Sequence, residues 1–223
     1  AALALGSLGA TAQAADYKGP DLKGETVTVT CPWTGAEEGM FKKVIANFEK
    51  ATGATVKHSC SQSSEQQIVI DIKAGSPSNI SVFPQPGLAA NMAAIGGLTP
   101  LGNKARDWVK ANYAAGSSWA DLGTYKGKDG KNNFYGLFYN VNVKSLVWYT
   151  PENFKAKGYK VPKSMEELQD LTKKIAADGG KPWCIGLGSD AATGWPATDW
   201  VEDMMLRTQS PTVYDERTSN KMK

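Results

Sequence analysis

The sequence predicts an α/β fold in which helices alternate with the strands of a parallel sheet. β-Branched residues alternate in "TVTVTC" (26–31) and recur in "ATVKHS" (54–59), a pattern typical of strands. A segment with apolar residues at helical spacing follows each one. Each of these segments ends at a glycine, Gly53 and Gly75, where a helix C-cap is expected. Strands and helices alternating at such short spacing favour right-handed crossovers and a parallel sheet.

The first helix should pack through an apolar stripe of Met40, Val44 and Phe48, which recur at every fourth position, with Phe41 and Ile45 beside them. A short buried strand, "NISVF", and a helix entered through proline, "PQPGLAANMAAIG", extend the alternation. The later elements are predicted at 37–53 (helix), 63–75 (helix), 79–83 (strand) and 84–96 (helix).

The pattern changes near residue 124. Residues 124–150 predict a hairpin-like turn and then two strands, with Trp148 inside a strand as a core residue. A second α/β lobe should begin around residue 147. It comprises a short helix, a helix opened by the capping box of Ser164 and Glu167, a strand in "PWCIGL" (182–187) and a helix in "TDWVEDMMLRTQ" (198–209).

The N-terminal segment "AALALGSLGATAQAA" is expected to be a signal peptide remnant at residues 1–15. It is apolar, uncharged and contains the step Ala12-Gln13-Ala14, which resembles a signal cleavage site. The alternative is a disordered Ala/Gly leader. We expect the mature protein to begin near Ala15 or Asp16, outside the cytoplasm. The polar C-terminal segment, which no closing strand or helix follows, favours a fragment of a longer protein.

Composition and motifs exclude several classes of partner. The net charge is only +3 and no Lys/Arg run resembles a nucleic-acid surface, so no nucleic acid is expected. No phosphate-binding loop is present. Gly186, Gly188 and Ala191 spell G-x-G-x-x-A, but no following strand carries the acid that would bind a ribose. No cofactor is therefore predicted.

The three cysteines allow one bridge. Cys31 and Cys60 stand at the ends of the first two predicted strands, where a disulfide is sterically plausible if the strands are parallel neighbours. The alternative is three free thiols, and Cys184 has no obvious partner. The one histidine, His58, is expected to be structural. One histidine and scattered cysteines do not make a usual zinc site, so no metal is predicted.

Neighbouring carboxylates raise the possibility of an enzyme. Glu37 and Glu38 form one group, and Asp199, Glu202 and Asp203 form another. A glycosidase needs two carboxyl groups flanking one sugar bond. However, Glu37, Glu38 and Asp199 fall at predicted helix starts, where an acid also stabilises the helix or serves as its N-cap.

Tryptophans carry a stronger indication of function. A pyranose ring has an apolar C–H face and polar edges, so it is bound by a flat aromatic ring together with hydrogen-bonding groups. Ligands of open parallel sheets bind in the loops after the strands, here 31–38, 60–64 and 83–87. Trp33 lies in the first of these loops, and Trp195 and Trp200 lie at the corresponding place in the second lobe. We predict sugar contact, although core packing is the alternative for each tryptophan alone.

The segments "FPQPG" (83–87), "NVKSLVWY" (142–149) and "ATGWPATDW" (192–200) strongly resemble those of extracellular solute-binding proteins of ABC sugar importers. The resemblance is to the family 1 type and its alpha-glucoside-binding branch. It implies a periplasmic binding protein-like fold (type II) of two α/β lobes joined by a hinge. The first lobe with its crossover strands is expected at 16–143, and an incomplete second lobe at 144–223.

The resemblance also implies a function. Such a protein is periplasmic, catalyses nothing, closes on an alpha-glucoside or related oligosaccharide and delivers it to the transmembrane subunits of an ABC permease. It is expected to be a monomer. Family position assigns the sugar contacts to Trp33, Thr34, Glu37, Gln85, Pro86, Asn142, Lys144, Trp195, Thr198 and Asp199.

Three alternatives remain at this point. An exported glycosidase would use one of the carboxylate groups. A solute-binding protein for a non-sugar ligand, such as a polyamine or a metal, would keep the fold and change the site. An exported structural protein would bind no ligand.

Overall fold

The computed structural model describes residues 19–144, 146–189, 193–219 and 221. The expected signal remnant at 1–15 and Ala191 of the G-x-G-x-x-A match lie outside these residues. The chain divides into two compact units, Ala1–Leu137 (unit 1) and Phe138–Lys223 (unit 2). The lobe boundary expected after residue 143 stays a prediction.

Unit 1 contains the parallel sheet that the sequence predicts. Its strands are β1 (Thr26–Cys31), β2 (Thr55–Cys60) and β3 (Ile80–Ser81), in the order β2-β1-β3. β1 pairs with β2 in parallel from Thr26↔Thr55 to Cys31↔Cys60, and Val29 of β1 pairs with Ile80 of β3. The third strand is shorter than the predicted 79–83, and Pro84, which has no N–H to donate, follows that range.

Helices follow the three strands in turn. They are α1 (Gly35–Thr52), α2 (Ser64–Ala74) and α3 (Pro86–Ala94). Gly53 (φ 76°) and Gly75 (φ 75°) are left-handed C-caps, as their positions predict. Two further helices and an antiparallel hairpin complete unit 1: α4 (Gly102–Asn112), α5 (Gly116–Leu122), β4 (Thr124–Lys126) and β5 (Asn132–Phe134).

The predicted apolar stripe of α1 is buried only in part. Met40, Val44 and Phe48 are exposed, Met40 by 68%. Ile45, which the prediction placed beside these three, is buried, and so is Thr52. The two faces differ by about one residue, or roughly 100° around the helix axis, and both carry apolar side chains. Apolar spacing alone therefore did not identify the side that meets the sheet.

Residues of unit 1 form the buried core of the described chain. Ile68 of α2 and Val29 of β1 are among its members. Within this core, Val109 of α4, Ala120 of α5 and Phe134 of β5 pack together in one cluster. A backbone hydrogen bond from Leu101 N to Phe134 O (2.8 Å) fixes the start of α4 against this hairpin.

Unit 2 contains four helices in its described residues: α6 (Pro151–Lys157), α7 (Met165–Ala177), α8 (Trp195–Thr208) and α9 (Pro211–Thr218). The strands predicted after the hairpin and at 182–187 are wrong, because the described residues of 137–150 and 181–189 form no ladder. Trp148 is 86% exposed and is not a core residue. A strand needs hydrogen-bonded neighbours, and the described part of unit 2 provides none for these segments. Within the described ranges, no helix combines the length and apolar character needed to span a bilayer.

The start of α7 follows the predicted capping box closely. Ser164 Oγ accepts a hydrogen bond from Glu167 N at 3.2 Å. Glu167 Oε2 accepts in return from Lys163 N at 2.6 Å, one residue before the N-cap. Two backbone donors that the helix itself cannot satisfy are thus paired.

Replacing this cap should measurably destabilise the chain. We expect Ser164→Ala to lower the free energy of unfolding by about 1 kcal/mol, because Glu167 N loses its acceptor. Urea unfolding measures the change. Ser164→Thr keeps a hydroxyl at the same position and is the control. Equal stability of the alanine and wild-type proteins would contradict a role for the cap.

Candidate functional site

The carboxyl edge of the unit 1 sheet collects five of the predicted site residues. Because β1, β2 and β3 are parallel, the loops after them and the first turns of α1, α2 and α3 share this edge. Thr34 is the N-cap of α1 and Gln85 the N-cap of α3, and neither side chain caps its own helix. Pro86 is the first residue of α3. Helix N-termini of this kind present backbone N–H donors to a ligand.

Trp33 lies between the end of β1 and the start of α1. Its indole is partly buried and packs against Phe41 of α1, with ring centroids 4.9 Å apart and planes inclined by 47°. Glu37, in the first turn of the same helix, is exposed. The helix therefore supports one side of the indole through Phe41. Its first turn carries the carboxylate of Glu37, four residues after Trp33 in the chain.

A disulfide joins the ends of the two strands beneath this loop. Cys31 and Cys60 are register partners in β1 and β2, and their Cα atoms are 4.4 Å apart. Ser61 N also donates to Cys31 O at 3.0 Å. The start of the Trp33 loop is thus held covalently. Cys184, in contrast, is a free and exposed thiol.

His58 contacts a carboxylate that a lysine also binds. Its Nε2 lies 3.4 Å from Glu38 Oε1, and Lys42 Nζ lies 2.9 Å from the same oxygen. The bond from Lys42, followed by that from His58, lowers the pKa of the Glu38 carboxyl. Cys60 is close to both residues, but its sulfur belongs to the disulfide and offers no thiolate to a metal. Two donors alone make a poor metal site.

The first turn of α2 contributes polar groups that the site prediction missed. Ser64 Oγ, Glu65 Oε1 and Gln66 Oε1 are buried, and none has a hydrogen-bond partner within the described ranges. Ser64 is only 1% exposed, and burial raises the pKa of the Glu65 carboxyl. The loop at 60–64 was expected to meet a ligand, but no local sequence pattern indicates that these particular oxygens would lack partners.

In unit 2, three predicted site residues are in direct contact. Lys144 Nζ lies 3.1 Å from Asp199 Oδ2 and 4.1 Å from the centroid of the Trp195 ring. Trp195 and Asp199 are four residues apart on α8 and therefore share a face of the helix. We call these three residues the lysine–tryptophan cluster. The other two predicted site residues of unit 2 are exposed: Asn142, two residues before Lys144, and Thr198, next to Asp199.

The start of α8 differs from the prediction. The helix begins at Trp195, not at Thr198, so Trp195 is helical and Asp199 is not an N-cap. Gly194 precedes the helix with φ 97°, a conformation that favours glycine, and its N–H donates to Leu187 O at 2.8 Å. Pro196 fits the first turn because the N–H it lacks has no partner there.

The two tryptophans on either side of Trp195 in the sequence, Trp183 and Trp200, pack against each other. Trp183 and Trp200 form an edge-to-face pair with centroids 5.5 Å apart. Trp183 Nε1 also donates to Thr172 Oγ1 of α7 at 3.2 Å. These contacts connect α7, α8 and the segment between them. Trp200 thus has a packing partner, which supports the structural alternative for this residue.

The acids of α8 that raised the glycosidase alternative have local partners. Arg207 Nε donates to Asp203 Oδ2 at 2.8 Å, and Tyr214 of α9 donates to Glu202 Oε2 at 3.4 Å. The third, Asp199, pairs with Lys144. Each carboxylate thus serves a contact within unit 2.

Residues 34–221 match the family described as bacterial extracellular solute-binding protein. The chain belongs to this family. Family membership confirms the resemblance found in the sequence. The mixed α/β structure of the solute-binding protein agrees with the expected type II periplasmic binding fold.

Two curated relatives are similar over most of the chain. The alpha-glucosides-binding periplasmic protein AglE of Rhizobium meliloti is 60% identical over 205 residues, which are 92% of this chain and 45% of that protein. The osmoprotective compounds-binding protein GgtB of Synechocystis sp. is 37% identical over 89% of this chain and 47% of that protein. The solute-binding protein chain thus spans about half the length of these relatives.

A solved structure supports the fold. It comes from a study of xylan utilization by the thermophilic bacterium Caldanaerobius polysaccharolyticus. It matches with a TM-score of 0.63 and 21% identity, and the match covers 88% of this chain and 48% of that one. At this identity, the likeness concerns the arrangement of helices and strands.

Proposed function

We propose that the whole protein is the periplasmic substrate-binding component of an ABC importer and that it captures an alpha-glucoside or a related oligosaccharide. One observation carries the proposal, namely the 60% identity over 92% of this chain to a protein named for binding alpha-glucosides in the periplasm. Delivery to the transmembrane subunits of a permease, action as a monomer and the absence of catalysis are parts of the same proposal.

The chemistry of each unit supports a sugar ligand. In unit 1, the partly buried Trp33 is backed by Phe41, and Thr34 and Gln85 offer polar side chains at the same sheet edge. In unit 2, Trp195 remains 41% exposed and has Asp199 one helical turn away. An aromatic face can stack on the apolar side of a pyranose while the polar groups bond its hydroxyls. Polar groups buried by a ligand without such partners would cost about 1–3 kcal/mol each, which makes the arrangement selective.

Thermal unfolding of the whole protein, as its gene encodes it, tests the ligand class. A sugar that binds only the folded state raises the free energy of unfolding by about 2.7 kcal/mol at a hundred times its Kd. We expect maltose, trehalose or sucrose to raise the midpoint temperature of unfolding. Cellobiose, whose linkage is β, is the matched control and should leave that midpoint unchanged. Glycine betaine tests the osmoprotectant class suggested by the second relative. A midpoint raised by none of the alpha-glucosides would reject the proposal.

The enzyme alternative has its own assay. A glycosidase would release the chromophore from an aryl α-glucoside, and a binding protein would leave it intact. We expect no hydrolysis above the uncatalysed rate. Release that disappears in a Glu37→Gln variant would instead identify a catalytic carboxyl group in the first turn of α1.

A further inference from the structure

The lysine–tryptophan cluster has the chemistry of a cation-binding site. Lys144 Nζ is held over the Trp195 ring at 4.1 Å and against Asp199 Oδ2 at 3.1 Å. An aromatic face attracts a positive charge through its quadrupole, and a nearby carboxylate adds a direct ion pair. The two groups that attract the charge lie on one face of α8, and the charge itself comes from the segment before α6.

The site is open to solvent. Trp195 is 41% exposed, and the side chains of Lys144 and Asp199 are 48% and 30% exposed. A dissolved cation could therefore reach the indole face and the carboxylate if the lysine ammonium did not already occupy them. While Lys144 is in place, a second cation would meet a like charge and would find the carboxylate already paired.

We infer that Lys144 is a specificity-determining residue that fills this cation site from within and so excludes cationic solutes, such as amines and quaternary ammonium compounds. Uncharged sugars meet no such repulsion. The inference rests on the proposed function in one respect, since it explains how a receptor for neutral sugars avoids charged solutes. Removing the lysine charge should convert Trp195 and Asp199 into a weak receptor site for a small cation.

Unit 2 provides a matched control. Lys174 Nζ lies 3.1 Å from Asp178 Oδ2 and 5.6 Å from the centroid of the Tyr159 ring. The Tyr159 hydroxyl also donates a hydrogen bond to Asp178 Oδ2 at 2.8 Å. This bond, together with the one from Lys174, lowers the pKa of the Asp178 carboxyl. Lys174→Met removes the same charge from the same unit. After this substitution Asp178 still accepts the hydrogen bond from Tyr159. The Tyr159 ring was also farther from its lysine, at 5.6 Å, than the Trp195 ring is from Lys144, at 4.1 Å.

The experiment uses the whole protein and tetramethylammonium chloride as the probe, with sodium chloride at equal ionic strength as the reference. The indole N–H resonance of Trp195, assigned by its loss in Trp195→Phe, reports binding in NMR titrations. We expect Lys144→Met to bind tetramethylammonium about tenfold more tightly than wild type, from one cation–π contact and one exposed ion pair. Lys144→Gln should show the same gain, so a folding defect in one variant does not decide the outcome.

Two further variants make the result specific. Lys144→Met combined with Asp199→Asn should lose most of the gain, and Lys174→Met should show none. Equal affinity of wild type, Lys144→Met and Lys144→Gln would overturn the inference, and so would an equal gain in Lys174→Met. Sugar titration of the wild type separates this from the proposed function. Alpha-glucoside binding without a cation gain rejects only the inference, whereas a cation gain without alpha-glucoside binding rejects only the proposed sugar function.

Discussion

Removal of the Cys31–Cys60 disulfide is expected to lower the free energy of unfolding by about 3–4 kcal/mol. The bridge spans a sequence separation of 29 residues, and a cross-link of this length restricts the unfolded chain by about that amount in the chain-entropy description. It also joins the central strand β1 to β2, so opening it releases the edge of the sheet. Cys31→Ala with Cys60→Ala, compared with wild type by urea unfolding, measures the effect.

Cys184 offers the control for this experiment. It is exposed and unpaired, so Cys184→Ala should change the free energy of unfolding by less than about 0.5 kcal/mol. Wild type treated with a reductant should lose stability to about the extent of the double variant, whereas the double variant should not respond to the reductant. Unchanged stability on reduction of the Cys184→Ala protein would show that the bridge contributes little.

Trp195→Ala should weaken alpha-glucoside binding to the whole protein by about ten- to thirtyfold. Stacking a pyranose on one indole face removes roughly 60–80 Å² of apolar surface from water, which corresponds to about 1.5–2 kcal/mol. The variant also removes the ring over which Lys144 lies. Isothermal titration with the sugar that gives the largest thermal shift measures the change.

Two other substitutions calibrate that result. Trp195→Phe keeps an aromatic face and should recover part of the affinity. Trp108→Ala removes a tryptophan that is more exposed, at 55%, and that lies on α4 outside the predicted site. Its affinity should match that of the wild type. A loss in Trp108→Ala as large as that in Trp195→Ala would mean that the effect is not specific to the proposed stacking ring.

Local sequence patterns were sufficient for much of unit 1. β1, β2, their following helices and the glycine C-caps were all predictable, because strand alternation, helical spacing and left-handed caps depend on residues close in the chain. The capping box of Ser164 was predictable for the same reason. The buried face of α1 was not, because two adjacent apolar faces compete and only packing against the sheet decides between them.

Unit 2 shows where local patterns are insufficient. The residues around Trp148 and Ile185 have the composition of strands, yet a strand depends on neighbours that the pattern of one segment does not specify. The resemblance predicts sugar contact for Lys144, Trp195 and Asp199. It gave no indication that the lysine would lie over the indole and pair with the acid, because these contacts join residues some fifty positions apart in the chain.

Because a disulfide joins β1 and β2, the free energy of unfolding depends on whether the compartment is oxidising or reducing. Glutathione and thioredoxin keep thiols reduced in the cytoplasm, whereas the bacterial periplasm oxidises them. If the protein is exported as proposed, the newly made polypeptide would cross the membrane before its covalent tie has formed, while it is still easy to keep unfolded. After export, formation of the Cys31–Cys60 disulfide would fix the start of the loop that carries Trp33. The same oxidation step would then stabilise the fold and order a predicted ligand-binding loop.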